Sequence, residues 1–156
     1  MAACVALGLV ATSCTSSTTD DSTRDDQGVV TEGGDVGVFA LNVGDCFDDP
    51  PDVQGDGDGS VEAVAAVPCD EPHDNQVYHK FDLPDGDFPG EDATFDRATA
   101  GCIAQFEAAV GEAYETSPLD IFPLTPTESG WAAGDQEVIC SIYNLDLSKL
   151  TADALG

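Results

Sequence analysis

Cysteine spacing constrains the fold of this chain more than any other feature of its sequence. Of the six cysteines, four lie after residue 40: Cys46, Cys69, Cys102 and Cys140. An even number of cysteines in an exported domain predicts disulfides, and four cysteines allow three pairings. A four-cysteine zinc site is the alternative, but zinc ligands come in close pairs such as CxxC, and these cysteines are all widely separated. We therefore expect two disulfides.

The residues around each cysteine favour one of the three pairings. Cys102 lies in a segment whose apolar residues recur at steps of three or four, which predicts an amphipathic helix with this cysteine on its apolar face. Cys140 lies in an alternating run that predicts a strand with the cysteine facing inward. We expect these two to pair, and Cys46 to pair with Cys69 across the acidic, Gly-rich stretch between them.

The remaining patterns predict a small α+β domain over residues 37–156, with an antiparallel sheet and one main amphipathic helix packed on one of its faces. Internal prolines in residues 118–126 suit a loop or an edge strand. His79 alternates with Val77 and Phe81, so these three are expected to share one face of a strand. The helix is expected near 92–115, and strands near 37–43, 61–67, 75–82 and 136–144.

The first residues have the pattern of a bacterial export signal. Residues 1–13 form an apolar run, too short for a bilayer-spanning helix of about 20 residues. Small residues then precede Cys14, as in the lipobox of bacterial lipoproteins. We expect Cys14 to carry the lipid that holds the protein on the extracytoplasmic face of the cell membrane. Because no Lys or Arg precedes Cys14, we expect the signal to begin upstream; the alternative is a soluble protein with an apolar N-terminus.

Charge limits the classes of partner. The chain has 31 Asp plus Glu against 4 Lys plus Arg, a net charge of -27, so it lacks the clustered cations that nucleic acid requires. Anionic headgroups would repel it, which leaves the lipid as the contact with the membrane. Residues 14–36 are polar and acidic with few apolar residues, and this composition predicts a flexible tether with an average reach of about 25 Å.

Candidate binding residues follow the second of the four cysteines. His73, with Asp70, Glu71 and Asp74, is a candidate partner or metal site, and Trp131 is a candidate binding anchor. One histidine and flexible carboxylates make a poor zinc site. We therefore favour a structural role for His73, in which its ring satisfies nearby backbone groups, and a core-covering role for Trp131.

The acidic stretch 48–62 carries the weak alternative function of calcium binding. Asp56 and Asp58 lie between glycines there, but the EF-hand pattern fails because its first and last positions would be Gln54 and Ala65. No resident metal or cofactor is expected. The sequence has no GxSxG nucleophile motif. No feature of the sequence distinguishes one pair of carboxylates as a general acid and a general base, so an enzyme is disfavoured.

Short motifs occur in an order similar to that of the septum formation family of actinobacterial membrane proteins and lipoproteins. They are Val-Gly-Asp-Cys-Phe at 43–47, Val-Pro-Cys-Asp-Glu-Pro-His at 67–73, Phe-Pro-Gly at 88–90, Trp-Ala-Ala-Gly-Asp at 131–135 and Val-Ile-Cys at 138–140. The resemblance implies an extracytoplasmic domain with a link to division and no agreed biochemical activity. The acidic insertion after Phe47 departs from the family pattern. The expected function is a non-catalytic envelope protein whose domain binds another envelope protein or a cell-wall component.

Overall fold

An antiparallel sheet forms the centre of the molecule. The computed structural model describes residues 19–50 and 61–155. In this part of the chain the strands are β1 (Thr23–Arg24), β2 (Val30–Glu32), β3 (Gly34–Gly37), β4 (Cys46–Asp48), β5 (Ala63–Val67), β6 (Asn75–Asp82), β7 (Leu119–Leu124) and β8 (Glu137–Asn144). The last six make one six-stranded sheet in the order β3-β5-β4-β6-β8-β7, and β1 and β2 make a small second sheet. With the helices α1 (Glu91–Val110) and α2 (Glu128–Ala132), this is the predicted α+β class.

Helix α1 covers one face of the six-stranded sheet. Its buried stripe includes Cys102 and Phe106, which pack against Val138, Cys140 and Ile142 of β8 in one hydrophobic cluster. The helix ends at Gly111, whose φ of 86° is the left-handed conformation that glycine adopts without strain. The helix is therefore shorter than the predicted 92–115, and a separate 3-10 turn follows at Tyr114–Thr116.

Both predicted disulfides are confirmed. Cys102 and Cys140 are fully buried and join α1 to β8, with their Cα atoms 5.5 Å apart. Cys46 and Cys69 join β4 to the turn after β5, with a Cα separation of 5.3 Å. One bond therefore fastens the helix to the sheet, and the other fastens two parts of the sheet to each other.

The N-terminal segment, defined here as residues 19–41, forms the β3 edge of the sheet and contributes to the apolar cover of its opposite face. Its apolar side chains join those of β4, β5, β6 and β8 in a second hydrophobic cluster. From the segment the cluster takes Val30, Val36, Val38 and Leu41. The cluster lies on the other side of β8, because it includes Ile139, and neighbouring residues of a strand point to opposite faces.

The prediction of a flexible tether over 14–36 is wrong for residues 19–36, which are folded. Asp20 forms a bridge with Val36, and the N–H of Asp21 donates to the carbonyl of Asp35 at 2.9 Å. The composition of residues 19–36 did not predict that they fold. A few valines are enough to hold the segment in place, because the sheet already presents an apolar face for them to cover. The strand expected at 37–43 accordingly lies earlier, at β3, and a 3-10 turn follows at Val38–Ala40.

A β-bulge in β6 changes which side chains share a face. Val77 pairs with Ser141 and His79 with Cys140, so one extra residue, Tyr78, lies between two consecutive partners. His79 and Phe81 do share the face that α1 covers, and their rings stack 5.9 Å apart. Val77 lies in the cluster on the opposite face, so the expectation that all three share a face is wrong.

Candidate binding site

His73 is fully buried, and its backbone holds the C-terminal segment. Its N–H donates to the carbonyl of Leu150 at 3.0 Å, and its carbonyl accepts from the N–H of Leu150 at 2.8 Å. In the ring, Nδ1 lies 2.7 Å from the carbonyl oxygen of Glu71. Because a carbonyl only accepts, Nδ1 carries the proton, and Nε2 has no partner among the described residues. The ring thus closes the turn that leads from the disulfide into β6.

The other predicted site residues do not gather around His73. Asp70 and Glu71 are exposed beside it. Trp131 is buried on the side of the sheet that α1 covers, where its ring packs 5.7 Å from that of Phe88. Its Nε1 donates to the carbonyl of Gly86 at 2.7 Å, which gives the indole a partner inside the fold. Cys14, Asp56 and Asp58 lie outside the described residues.

A cleft that the sequence did not predict lies where β4 ends, β6 begins and β7 and β8 meet. Its volume is about 230 Å³. Its lining combines carboxylate, amide and hydroxyl groups with two aromatic rings and one leucine side chain. It is lined by Asp49, Asp74, Asn75, Phe122, Tyr143, Asn144, Leu147 and Ser148. Mixed polar and apolar walls of this kind are typical of binding sites for small groups or single side chains.

The polar groups of the lining are held in place by the fold. Asn75, only 3% exposed, donates from Nδ2 to Oδ1 of Asp49 at 2.7 Å. The N–H of Asp49 in turn donates to Oδ2 of Asp74 at 3.1 Å. Lys149 lies beside them, with Nζ 2.6 Å from Oδ1 of Asp48 and 3.2 Å from Oδ1 of Asp74. Its bond to Asp48 raises the pKa of Lys149. Lysine therefore neutralises part of the acidic wall, and Asp49 contributes charge to the remainder.

The aromatic ring of Tyr143 is positioned by one carboxylate. Asp120 accepts from Oη of Tyr143 at 3.1 Å and from Oη of Tyr114 at 2.6 Å. Burial opposes the ionised form of Asp120, but the hydrogen bonds it accepts from Tyr114, Ile121 and Tyr143 outweigh burial and lower its pKa. The bond to Asp120, with burial, raises the pKa of Tyr114 to about 12. The Tyr143 ring is thereby fixed at the wall of the cleft.

Leu147 forms an unusual rim to the cleft. It is 80% exposed, and its φ of 62° lies in the left-handed region that branched side chains seldom occupy. The hydrogen bond from its N–H to the carbonyl of Asn144, 2.8 Å long, holds this turn.

Neither edge of the six-stranded sheet is open to an added strand. Residues 19–21 cover the outer edge of β3. On β7, the N–H groups of Leu119 and Ile121 donate to Oγ of Ser117 and Oδ1 of Asp120, and Pro123, in register with them, has no N–H. Edges closed in this way resist pairing with another chain. The geometry therefore disfavours the addition of a strand from another chain at either edge.

The described part of the chain contains neither a cluster of metal ligands nor a membrane-spanning helix. Over residues 19–50 and 61–155, no three His, Cys, Asp or Glu side chains come together as metal ligands would. Within the same ranges no helix is both long and apolar enough to cross a bilayer.

Comparison with known proteins places these features in a family. A family model described as septum formation matches residues 15–140. No curated protein and no solved structure matches the chain. The match includes the N-terminal segment, both disulfides and the turn around His73, and it links the protein to septum formation or to the cell envelope. The chain belongs to the septum formation family.

Proposed function

We propose that the protein is a non-catalytic, lipid-anchored protein of the cell envelope whose domain binds another envelope protein or a cell-wall component. The observation that carries the proposal is the pair of disulfides, one of them buried at the centre of the core. Structural disulfides of this kind persist in oxidising compartments outside the cytoplasm and are rare inside it. An exported domain agrees with lipid attachment at Cys14.

The cleft supports binding as the role of the domain. It offers the carboxylate of Asp49, the carboxamide of Asn75 and the aromatic ring of Tyr143 within one depression. A carboxylate beside an aromatic wall suits an ammonium or guanidinium group, which gains both charge attraction and contact with the ring face. The net charge of -27 favours the approach of such a basic partner.

Calcium binding by the 48–62 stretch is the rival function. Asp48, at the start of that stretch, is already engaged by Lys149 at 2.6 Å, which weakens its ability to hold a cation. A calorimetric titration of the domain separates the two functions. Calcium binding tighter than about 0.1 mM, lost when Asp56 and Asp58 are both changed to Asn, would favour the rival.

The proposed function is tested in intact cells in two steps. Mass spectrometry of membrane-extracted protein should find lipid on Cys14, and the Cys14→Ser variant should leave the membrane fraction. A photo-crosslinking amino acid at Leu147 should then yield a discrete crosslinked product that the same group at the exposed Glu62 does not yield. The Asp49→Asn variant should weaken that product. Unmodified Cys14, or identical products from both positions, would count against the proposal.

A further inference from the structure

The N-terminal segment is bound to the domain from its first described residue. The carbonyl of Thr19 accepts from the N–H of Gly37 at 2.7 Å, so the chain already runs along the outer edge of β3 there. Between this point and Leu41 the segment forms β3 and buries Val30, Val38 and Leu41 in the cluster on one face of the sheet. The part of the chain that can act as a link to a lipid on Cys14 is therefore much shorter than its composition predicts.

Arg24 fastens this segment to the rest of the domain. Its Nη1 and Nη2 donate to the two carboxylate oxygens of Asp45 at 2.6 and 2.8 Å, and Asp45 is only 4% exposed. Its Nε donates to Asp20 at 2.7 Å, and Nη1 also reaches the carbonyl of Gly28 at 2.9 Å. A paired guanidinium and carboxylate with this geometry is stronger than an exposed ion pair. Because Arg24 bonds to both Asp20 and Asp45, it joins the start of the segment to the turn before β4.

A short link restricts how the domain can sit above the membrane. The chain from Cys14 to Thr19 reaches at most about 18 Å even when fully extended. A domain of this size has a diameter of roughly 35 to 40 Å. Because the link is about half that diameter, the domain cannot turn its far side towards the lipid. The edge at which the link ends stays near the headgroups.

The cleft extends from the middle of the sheet to the edge opposite β3. Strand β3 is at one end of the strand order. The lining of the cleft begins at Asp49, directly after β4, and at Asn75 of β6, and these two strands are central in the sheet. The lining ends on β8 and β7, which supply Tyr143 and Phe122. With strands about 4.8 Å apart, the two edges are separated by about 24 Å measured along the sheet. Phe39, in the turn directly after β3, is 47% exposed and marks the edge near Thr19.

We infer that the folded N-terminal segment orients the domain on the membrane, with the β3 edge nearest the bilayer and the Leu147 rim of the cleft farther from it. The inference rests on the proposed lipid at Cys14. It identifies the surface next to the bilayer as the one around Thr19 and Phe39.

The test uses the full chain with a lipid attached chemically at Cys14, bound to phosphatidylcholine vesicles that contain a headgroup-linked quencher. A fluorescent amino acid replaces either Phe39 or Leu147, both of which are exposed apolar positions. We expect strong quenching at position 39 and little at position 147. Equal quenching at the two positions would overturn the inference.

Two further variants show whether the folded segment causes the orientation. A Gly-Ser insertion of about 20 residues directly before Thr19 should abolish the difference between the two probes, because the link then exceeds the domain radius. Arg24→Gln should reduce the difference, whereas Arg97→Gln, an equal charge change at an exposed helix position, should not. A difference that survives the insertion unchanged would contradict the inference. Chemical lipidation keeps this result separate from the natural lipidation, which mass spectrometry of cell-extracted protein decides.

Discussion

The two faces of the sheet are covered by different means. On one face α1 is bonded to β8 by a buried disulfide, and the cluster beneath it includes two aromatic residues of α1 and β6, Phe106 and Tyr78. On the other face the N-terminal segment is held by a few aliphatic side chains and by the ion pair between Arg24 and Asp45. Neither disulfide reaches that segment. From this difference we expect the face covered by α1 to be the stable part of the domain. We expect the face that carries the N-terminal segment to open locally without global unfolding.

Matched phenylalanines on the two faces give the largest expected effect. Phe106 belongs to the hydrophobic cluster on the α1 side of the sheet, and Phe47 belongs to the cluster on the opposite side. Both side chains are almost completely buried. Each change to Ala should lower the free energy of unfolding by about 3 to 5 kcal/mol through lost contacts and a cavity. In denaturant, Phe106→Ala should keep a single transition. Phe47→Ala should in addition expose the N-terminal segment to protease before the main transition, and simultaneous cleavage in both variants would break the comparison.

The two disulfides should differ in how much they contribute to the free energy of unfolding, and this difference is smaller than the effect of the phenylalanine changes. Replacing Cys102 and Cys140 together with Ala should lower the free energy of unfolding by about 3.9 kcal/mol, and replacing Cys46 and Cys69 by about 3.4 kcal/mol, because the first bond closes the longer loop. Denaturant melts of the two double variants measure this. The order would be contradicted if the Cys46 and Cys69 variant were the less stable of the two.

The ion pair tests how the N-terminal segment is held. Arg24→Ala leaves the buried carboxylate of Asp45 without its guanidinium, so we expect a loss of about 2 to 3 kcal/mol. Arg97→Ala, at an exposed position, should change stability by less than about 0.5 kcal/mol. Because the loss comes mainly from the unpaired carboxylate, the double variant Arg24→Ala, Asp45→Ala should lose less than the sum of the two single variants. Additive losses would show that the pair contributes little.

Alkaline pH should weaken the α1 side in part through the hydrogen bond from Tyr114 to Asp120. The pKa of Tyr114 is raised to about 12 in the folded protein from its ordinary value of 10.0, so its contribution to stability is complete below pH 10 and is lost as the pH rises through 12. Tyr114 lies near the surface, and we expect Tyr114→Phe to lose only about 0.5 to 1 kcal/mol at neutral pH. The free energy of unfolding of Tyr114→Phe should then fall less between pH 10 and 12 than that of the parent protein. An unchanged slope would contradict this.

Local patterns predicted most of the fold on the α1 side. Periodicity placed Cys102 and Cys140 on facing surfaces, and the prolines of residues 118–126 indicated the edge strand that β7 forms. The same rules missed the bulge at Tyr78, because an extra residue leaves no mark in an alternating pattern. They also missed the role of Val30 and Val36, since the apolar face that these residues cover is built by strands far along the chain.

The cleft could not be predicted for a related reason. Asp49, Asn75 and Tyr143 are distant in sequence and meet only because β4, β6 and β8 are neighbours in the sheet. Strand order depends on which strands bury the most surface together, and a single sequence does not contain that information in local form. The motif around His73 made Asp74 a candidate for a site at that histidine, but it gave no indication that Asp74 lines a cleft with Asp49 and Tyr143.

Native-state hydrogen exchange tests the central claim most directly. The claim is that residues 19–41 are a folded part of the domain and also its less stable face. The amides of Asp21, Gly37 and Val38, which donate to backbone carbonyls, should be protected from exchange, but less than the amides of β8. In the Arg24→Ala variant their protection should fall while that of β8 persists. Exchange of these three amides at the rate of an unfolded peptide in the parent protein would contradict the account and restore a flexible tether.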